Sequence, residues 1–193
     1  MATQTTTLNG VDIERLRETI HNLKGNPELA KVQHRATNEW VDGAHCRTTV
    51  SDYYGAGEDR EHAQRFELHA DEPDVLLGED HGPSATEALL YALSSCLNTT
   101  FVYHAAARGV QIDELRLDLT ADLDLRGFLG LSDEVRNGYS NIQVTFHVKS
   151  PAPRETIEEL VELAQKRSPV FDMVTHETPV SPHFSPVQRM RWF

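Results

Sequence analysis

Gly82-Pro83-Ser84-Ala85-Thr86-Glu87-Ala88-Leu89-Leu90-Tyr91-Ala92-Leu93-Ser94-Ser95-Cys96-Leu97-Asn98 is the stretch that decides the fold. Ser84 and Glu87 stand at capping-box spacing, where hydroxyl and carboxylate each satisfy a free backbone amide. The spacing predicts a helix from Ser84 to about Arg108, ended by Gly109. Leu89, Leu90, Leu93, Cys96, Leu97, Phe101 and His104 form its broad stripe, and Ala88, Ala92, Ala105 and Ala106 let neighbours approach closely. A helix this apolar belongs at the centre of a fold.

Upstream, Ile13, Leu16, Ile20 and Leu23 predict a helix over Asp12 to Lys24, stopped by Gly25-Asn26-Pro27. Val32 to Val50 alternates around Asp42-Gly43, a hairpin signal, and Arg65 to Ala70 alternates again. The glycine-rich, charged run Tyr53 to Glu61 reads as the loop between them, which makes a meander of three strands. Downstream, Ile112 to Asp124 and Ile142 to Val148 alternate as strands, and Pro153 to Arg167 is a second long helix broken at Ser168-Pro169. Asp172 to Pro179 is expected to add a last short strand, and Ser181 to Phe193 an extended arm. The order of elements is that of an α+β protein. Three parts follow: a helical extension over 1–31, a main domain over 32–180 and a tail over 181–193.

Composition narrows the function. The chain has 193 residues, 39% hydrophobic and 25% charged, with a formal charge of −12. An acidic surface repels phosphate, so neither nucleic acid nor an anionic membrane is an expected partner. No apolar run approaches the ~20 residues of a membrane span. Met1 to Gly10 is polar and threonine-rich, so no export signal is expected and the cytoplasm is the expected location. Only Lys24, Lys31, Lys149 and Lys166 are lysines, so nearly every fixed positive charge sits on a guanidinium. Cys46 and Cys96 are too few for a disulfide framework, which leaves room for one reactive thiol.

The order and spacing of several short motifs resemble those of the OsmC/Ohr family, the osmotically inducible and organic-hydroperoxide-resistance proteins. They are Asp71-Glu72-Pro73, Leu77-Gly78-Glu79-Asp80, the Gly82 to Cys96 run, Gly109-Val110, Asp124 to Leu131 and Ala164 to Val170. The resemblance implies an OsmC-like fold, with antiparallel sheets wrapped around long central helices in an intertwined homodimer. It also implies a thiol peroxidase, in which a thiolate on the central helix attacks a peroxide and becomes a sulfenic acid. A second cysteine before a proline then closes a disulfide that a dithiol reductant opens.

Cys96 matches the first cysteine, and Ser168-Pro169 stands where the second is expected. Serine cannot close that disulfide, so an external thiol or dithiol is the expected resolver, with Cys46 as the remaining intramolecular alternative. Glu87 matches the family glutamate, yet it lies nine residues from Cys96, and at about 100° per residue an unbroken helix sets the two on opposite faces. Glu87 is equally well explained as a cap. Arg47, just after Asp42-Gly43, and Arg35 are the candidates for the cation that would stabilise the thiolate and the leaving alkoxide.

Phe128, Tyr139 and Phe171 are candidate walls of an apolar pocket suited to organic hydroperoxides. The ten histidines show no zinc-like spacing, with His45 beside Cys46, His62 on the expected loop and His69 on a strand, so neither metal nor cofactor is expected. The alternative is a non-catalytic stress protein of the same fold that binds a small apolar or thiol-bearing ligand.

Overall fold

The computed structural model describes residues 7–186. At the amino end, β1 (Thr7–Leu8) and β2 (Val11–Asp12) form a small hairpin across Asn9-Gly10, followed by α1 (Ile13–Gly25). Asp12 caps α1 by accepting the N–H of Arg15 at 3.0 Å. After a 3-10 turn (Pro27–Ala30) come β3 (Gln33–His34), β4 (Thr37–Asp42), β5 (His45–Gly55) and β6 (Glu58–Ala70), an antiparallel sheet in which β5 pairs with the other three.

Tyr53 to Glu61 is therefore not a loop. Ala56 and Gly57 hold φ of 54° and 87°, the positive values of a tight turn whose twist matches that of a hairpin, so β5 and β6 run to within two residues of each other. The expected break appears instead inside the ladder: between Val50↔Phe66 and Asp52↔Glu61 the register slips and a bulge takes up the extra residues, His62 among them.

The central helix α2 (Ala85–Ala107) starts and ends where its cap and glycine predict. β7 (Glu114–Asp122) and β8 (Asn141–Lys149) form a two-stranded sheet with strict in-and-out alternation, and the short α3 (Leu125–Phe128) lies in the connection between them. α4 (Arg154–Arg167) and α5 (Pro169–Thr175) complete the fold. The expected last strand over Asp172 to Pro179 is absent: α5 reaches Thr175, and no regular element follows within the described residues. Ser168-Pro169, a helix breaker for α4, is a starter for α5, with serine at the cap and proline in the first turn.

Leu93, Leu97, Phe101 and Ala105 of α2 interlock with Leu160 and Ala164 of α4 to make the core. The inward leucines and valines of β7 and β8 close it, and Phe101 meets Phe146 with ring centroids 5.9 Å apart. Each fully buried leucine contributes on the order of 1.5–3 kcal/mol. The β3–β6 sheet shares none of this core and makes no extended contact with α2, β7 or β8. It leaves the body of the chain as an arm, joined to α2 through residues 71–83.

Candidate functional site

Strand pleating divides the side chains of the arm between two faces. Cross-strand partners point the same way, so Trp40, Cys46 and Ala70 share one face with Thr48, Leu68, Val50 and Phe66. That face is apolar and open: Trp40 is 74% exposed and Leu68 54% exposed. The opposite face carries Glu39, Arg47, Thr49, Glu67 and His69.

Cys96 is half-buried in the middle of α2, and its carbonyl accepts the hydroxyl of Thr100 at 2.7 Å. Leu89 and Tyr103, seven residues to either side, fall on the same helical stripe, and both are exposed. Beside them a polar hollow of about 340 Å³ is lined by Ser94, Ser95, Asn98, Thr99 and Leu117. The thiol thus lies on a strip of the central helix that its own chain leaves partly open, with Leu89 and Tyr103 exposed and Cys96 half-buried between them. Both Cys96 and Cys46 are free thiols, and they sit on different elements, α2 and β5.

Within one chain the other candidates are engaged elsewhere. Glu87 Oε2 accepts the backbone N–H of Ser84 at 2.8 Å and the Ser84 hydroxyl at 2.9 Å, and these bonds lower its pKa. Because α2 is unbroken, Glu87 and Cys96 do lie on opposite faces of one helix. Arg47 donates to Glu39 at 2.9 Å on the polar face of the arm. Arg35, just beyond β3, donates to Asp52 at 2.8 Å and to Asp59 at 2.7 Å. No arginine among the described residues hydrogen-bonds Cys96.

Ser168 is 1% exposed and caps α5 by accepting the N–H of Phe171 at 3.2 Å. Phe128 is 63% exposed on α3, Tyr139 is half-buried ahead of β8, and Phe171 packs against the core between α2 and α4. No ring contact joins these three among the described residues, so within one chain they do not form a common wall.

One cluster escaped the sequence reading. His45, His69 and His81 meet where residues 71–83 fold onto the polar face of the arm, with Asp71 buried behind them. Spacing gave no hint of it, because its members come from two strands and a loop. Among the described residues no group of three His, Cys, Asp or Glu side chains is arranged to hold a metal ion, and no helix is long and apolar enough to cross a membrane.

The family model for OsmC-like proteins matches residues 78–183, more than half of the chain. Solved structures agree in fold. An OsmC-like protein from Mycoplasma pneumoniae is 17% identical with a TM-score of 0.57, over 75% of this chain and 89% of that one. A putative osmotic stress induced and detoxification response protein from Psychrobacter arcticus is 17% identical with a TM-score of 0.52, over 72% and 85%. An organic hydroperoxide resistance protein OsmC from Legionella pneumophila is 12% identical with a TM-score of 0.51, over 73% and 89%. A search of curated protein sequences finds no match.

Proposed function

Because the chain belongs to the family of OsmC-like proteins, we propose that it is a dimeric, thiol-dependent peroxidase that reduces organic hydroperoxides through Cys96. The observation that carries the reading is the placement of Cys96, half-buried on the open stripe of the central helix between Leu89 and Tyr103. An apolar strip around a thiol suits an alkyl or lipid hydroperoxide better than hydrogen peroxide. The hydroperoxide resistance ascribed to the Legionella pneumophila protein of the same fold supports that substrate class.

In the proposed reaction the Cys96 thiolate attacks the terminal peroxide oxygen. The S–O bond forms as the O–O bond breaks, leaving a sulfenic acid on Cys96 and an alkoxide that takes a proton and departs as the alcohol. Ser168 offers no thiol, so an external thiol condenses with the sulfenic acid, releasing water, and a second thiol reduces the mixed disulfide.

A second chain completes the site. A single chain exposes 15212 Å², against roughly 9,200 Å² for a compact monomer of this mass. Two exposed surfaces are suited to a partner, the apolar face of the arm and the strip of α2 around Cys96. Laying the arm of each protomer across the α2 of its partner buries both, and it carries that partner's Cys96 towards an arginine. With Trp40 and Leu68 facing the partner, pleating turns Arg47 outward, which leaves Arg35 at the rim as the cation for the thiolate.

The test is to treat purified protein with cumene hydroperoxide and follow Cys96 by mass spectrometry, with Cys46 as the internal control. Sulfenic or mixed-disulfide adducts on Cys96 at substoichiometric peroxide are expected. A Cys96 that alkylates readily yet survives excess peroxide ends the proposal. It would favour the non-catalytic reading, which the engagement of Arg35 and Arg47 by carboxylates supports. That reading expects Cys96→Ser to leave ligand binding intact.

A further inference from the structure

The arm is held to the body through residues 71–83, and one chain of polar contacts fixes that segment. Asp71 is 3% exposed and accepts the backbone N–H groups of Glu72, Glu79 and His81 at 2.8, 3.2 and 3.2 Å, together with His81 Nδ1–H at 2.8 Å. His81 in turn stacks on His45, with ring centroids 4.5 Å apart and planes 5° from parallel. His45 Nε2 and His69 Nδ1 share a hydrogen bond of 2.8 Å.

Close approach of backbones makes this possible. A Cβ at Gly78 would collide with the backbone of Glu72, and one at Gly82 with the carbonyl of His69. Leu77 and Asp80 hold φ of 65° and 55°, a strained region for side-chain-bearing residues. A taut segment is thus kept in place by one buried carboxylate and three imidazoles.

We propose that Asp71, His81, His45 and His69 form a pH-sensitive joint, which locks the arm against the start of α2 when the imidazoles are neutral and releases it when they take up protons. Two neutral imidazoles make the His45–His69 bond because one nitrogen donates and the other accepts. One further proton can sit on the outer nitrogen of the donor ring and keep the bond, but a second leaves two donors facing each other, and the bond is lost. The second proton also sets a cation on His45 against the face of His81, whose Nδ1 is held by Asp71 and whose Nε2 stands 3.8 Å from Glu79.

The surrounding charges reinforce the effect. Arg47 of β5 stands directly across from His69 and opposes a cation there, although Glu39 of β4 holds it. Glu67 of β6 shares the polar face, and Asp42 of β4 and Glu79 line the same cavity as His45 and His81. Asp71, held well below the usual carboxylate range chiefly by the His81 bond, stays ionised throughout the imidazole range of about pH 5–8. The device therefore switches on its histidines alone. It is a feature of one chain and does not rest on the peroxidase reading.

Hydrogen–deuterium exchange on the full chain at pH 8 and pH 5.5, corrected for intrinsic exchange, tests the joint. Amides of 72–83 are expected to lose protection by about tenfold at the lower pH, while those of 93–107 in α2 hold and report that the fold is intact. In His69→Gln, whose amide bonds His45 in either charge state, the loss should disappear. Asp71→Asn should show low protection at both pH values. Unchanged protection in the wild type overturns the proposal, as does an equal loss in His69→Gln or a fully protected Asp71→Asn.

Discussion

Ser168 Oγ lies 3.2 Å from the backbone nitrogen of Phe171 and accepts its hydrogen in the first turn of α5, at a site with almost no exposure. At the position where the resemblance implies a second thiol, this chain has a hydroxyl that starts a helix. Ser168→Ala should cost about 1 kcal/mol, the usual value of a lost cap, read as a lower urea midpoint at unchanged slope. Ser168→Cys restores the thiol, and peroxide treatment should then join Cys96 to the introduced sulfur in a disulfide visible in tryptic digests. Separate thiols under those conditions would show that residue 168 is out of reach of the Cys96 sulfur.

Trp40 belongs to the apolar face of an arm that its own chain leaves bare. Trp40→Asp should convert dimer to monomer in sedimentation velocity without loss of helical circular dichroism, since the hydrogen bond of the ring, from Nε1–H to the carbonyl of Gly43 at 3.1 Å, stays within the turn of the arm and away from the helices. A variant that sediments like the wild type would remove this face from the proposed interface.

Phe101 is fully buried at the crossing of α2 and α4 and packs on Phe146. Phe101→Ala should cost about 3–5 kcal/mol. Because domains are stable by only about 5–15 kcal/mol, the variant should unfold well below the wild-type temperature in calorimetry.

His104 titrates below its ordinary range, first because it is partly buried and then because Arg108 and Arg167 repel its charged form. The unfolded imidazole takes up a proton more readily than the folded one, so stability falls as pH drops through about 6.5. His104→Gln removes this contribution, and the gap in melting temperature between pH 8 and pH 5.5 should narrow. An equal gap in the variant would assign the pH dependence elsewhere.

Local signals made the helical half of the fold legible. Ser84 with Glu87, the alternation of β7 and β8, and the stripe of α4 each specify an element without help from distant residues. The arm was legible in its Asp42-Gly43 turn, but the glycines around Ala56 resemble a loop until the positive φ values show a tight turn. Ser168-Pro169 carries two meanings, a stop and a start, and only the packing of α5 on α2 and α4 decides between them.

The candidate site was legible as far as Cys96. A cation for it was not, because Arg35 and Arg47 lie on an arm that makes no extended contact with α2 within the chain, and both are held by carboxylates. The histidine joint was invisible for another reason: His45, His69 and His81 become neighbours only when a strand bulge, a hairpin and a loop have all formed.

Asn9, between β1 and β2, donates its side-chain amide to the carbonyl of Val110 and accepts the N–H of Ile112, both at 2.9 Å, across 101 and 103 residues of sequence. The two bonds close a loop of about a hundred residues and tie the opening hairpin to the turn beyond α2. Whatever displaces Asn9 therefore strips partners from Val110 and Ile112 at the far end of the central helix, so the amino end bears on the turn that leads into β7.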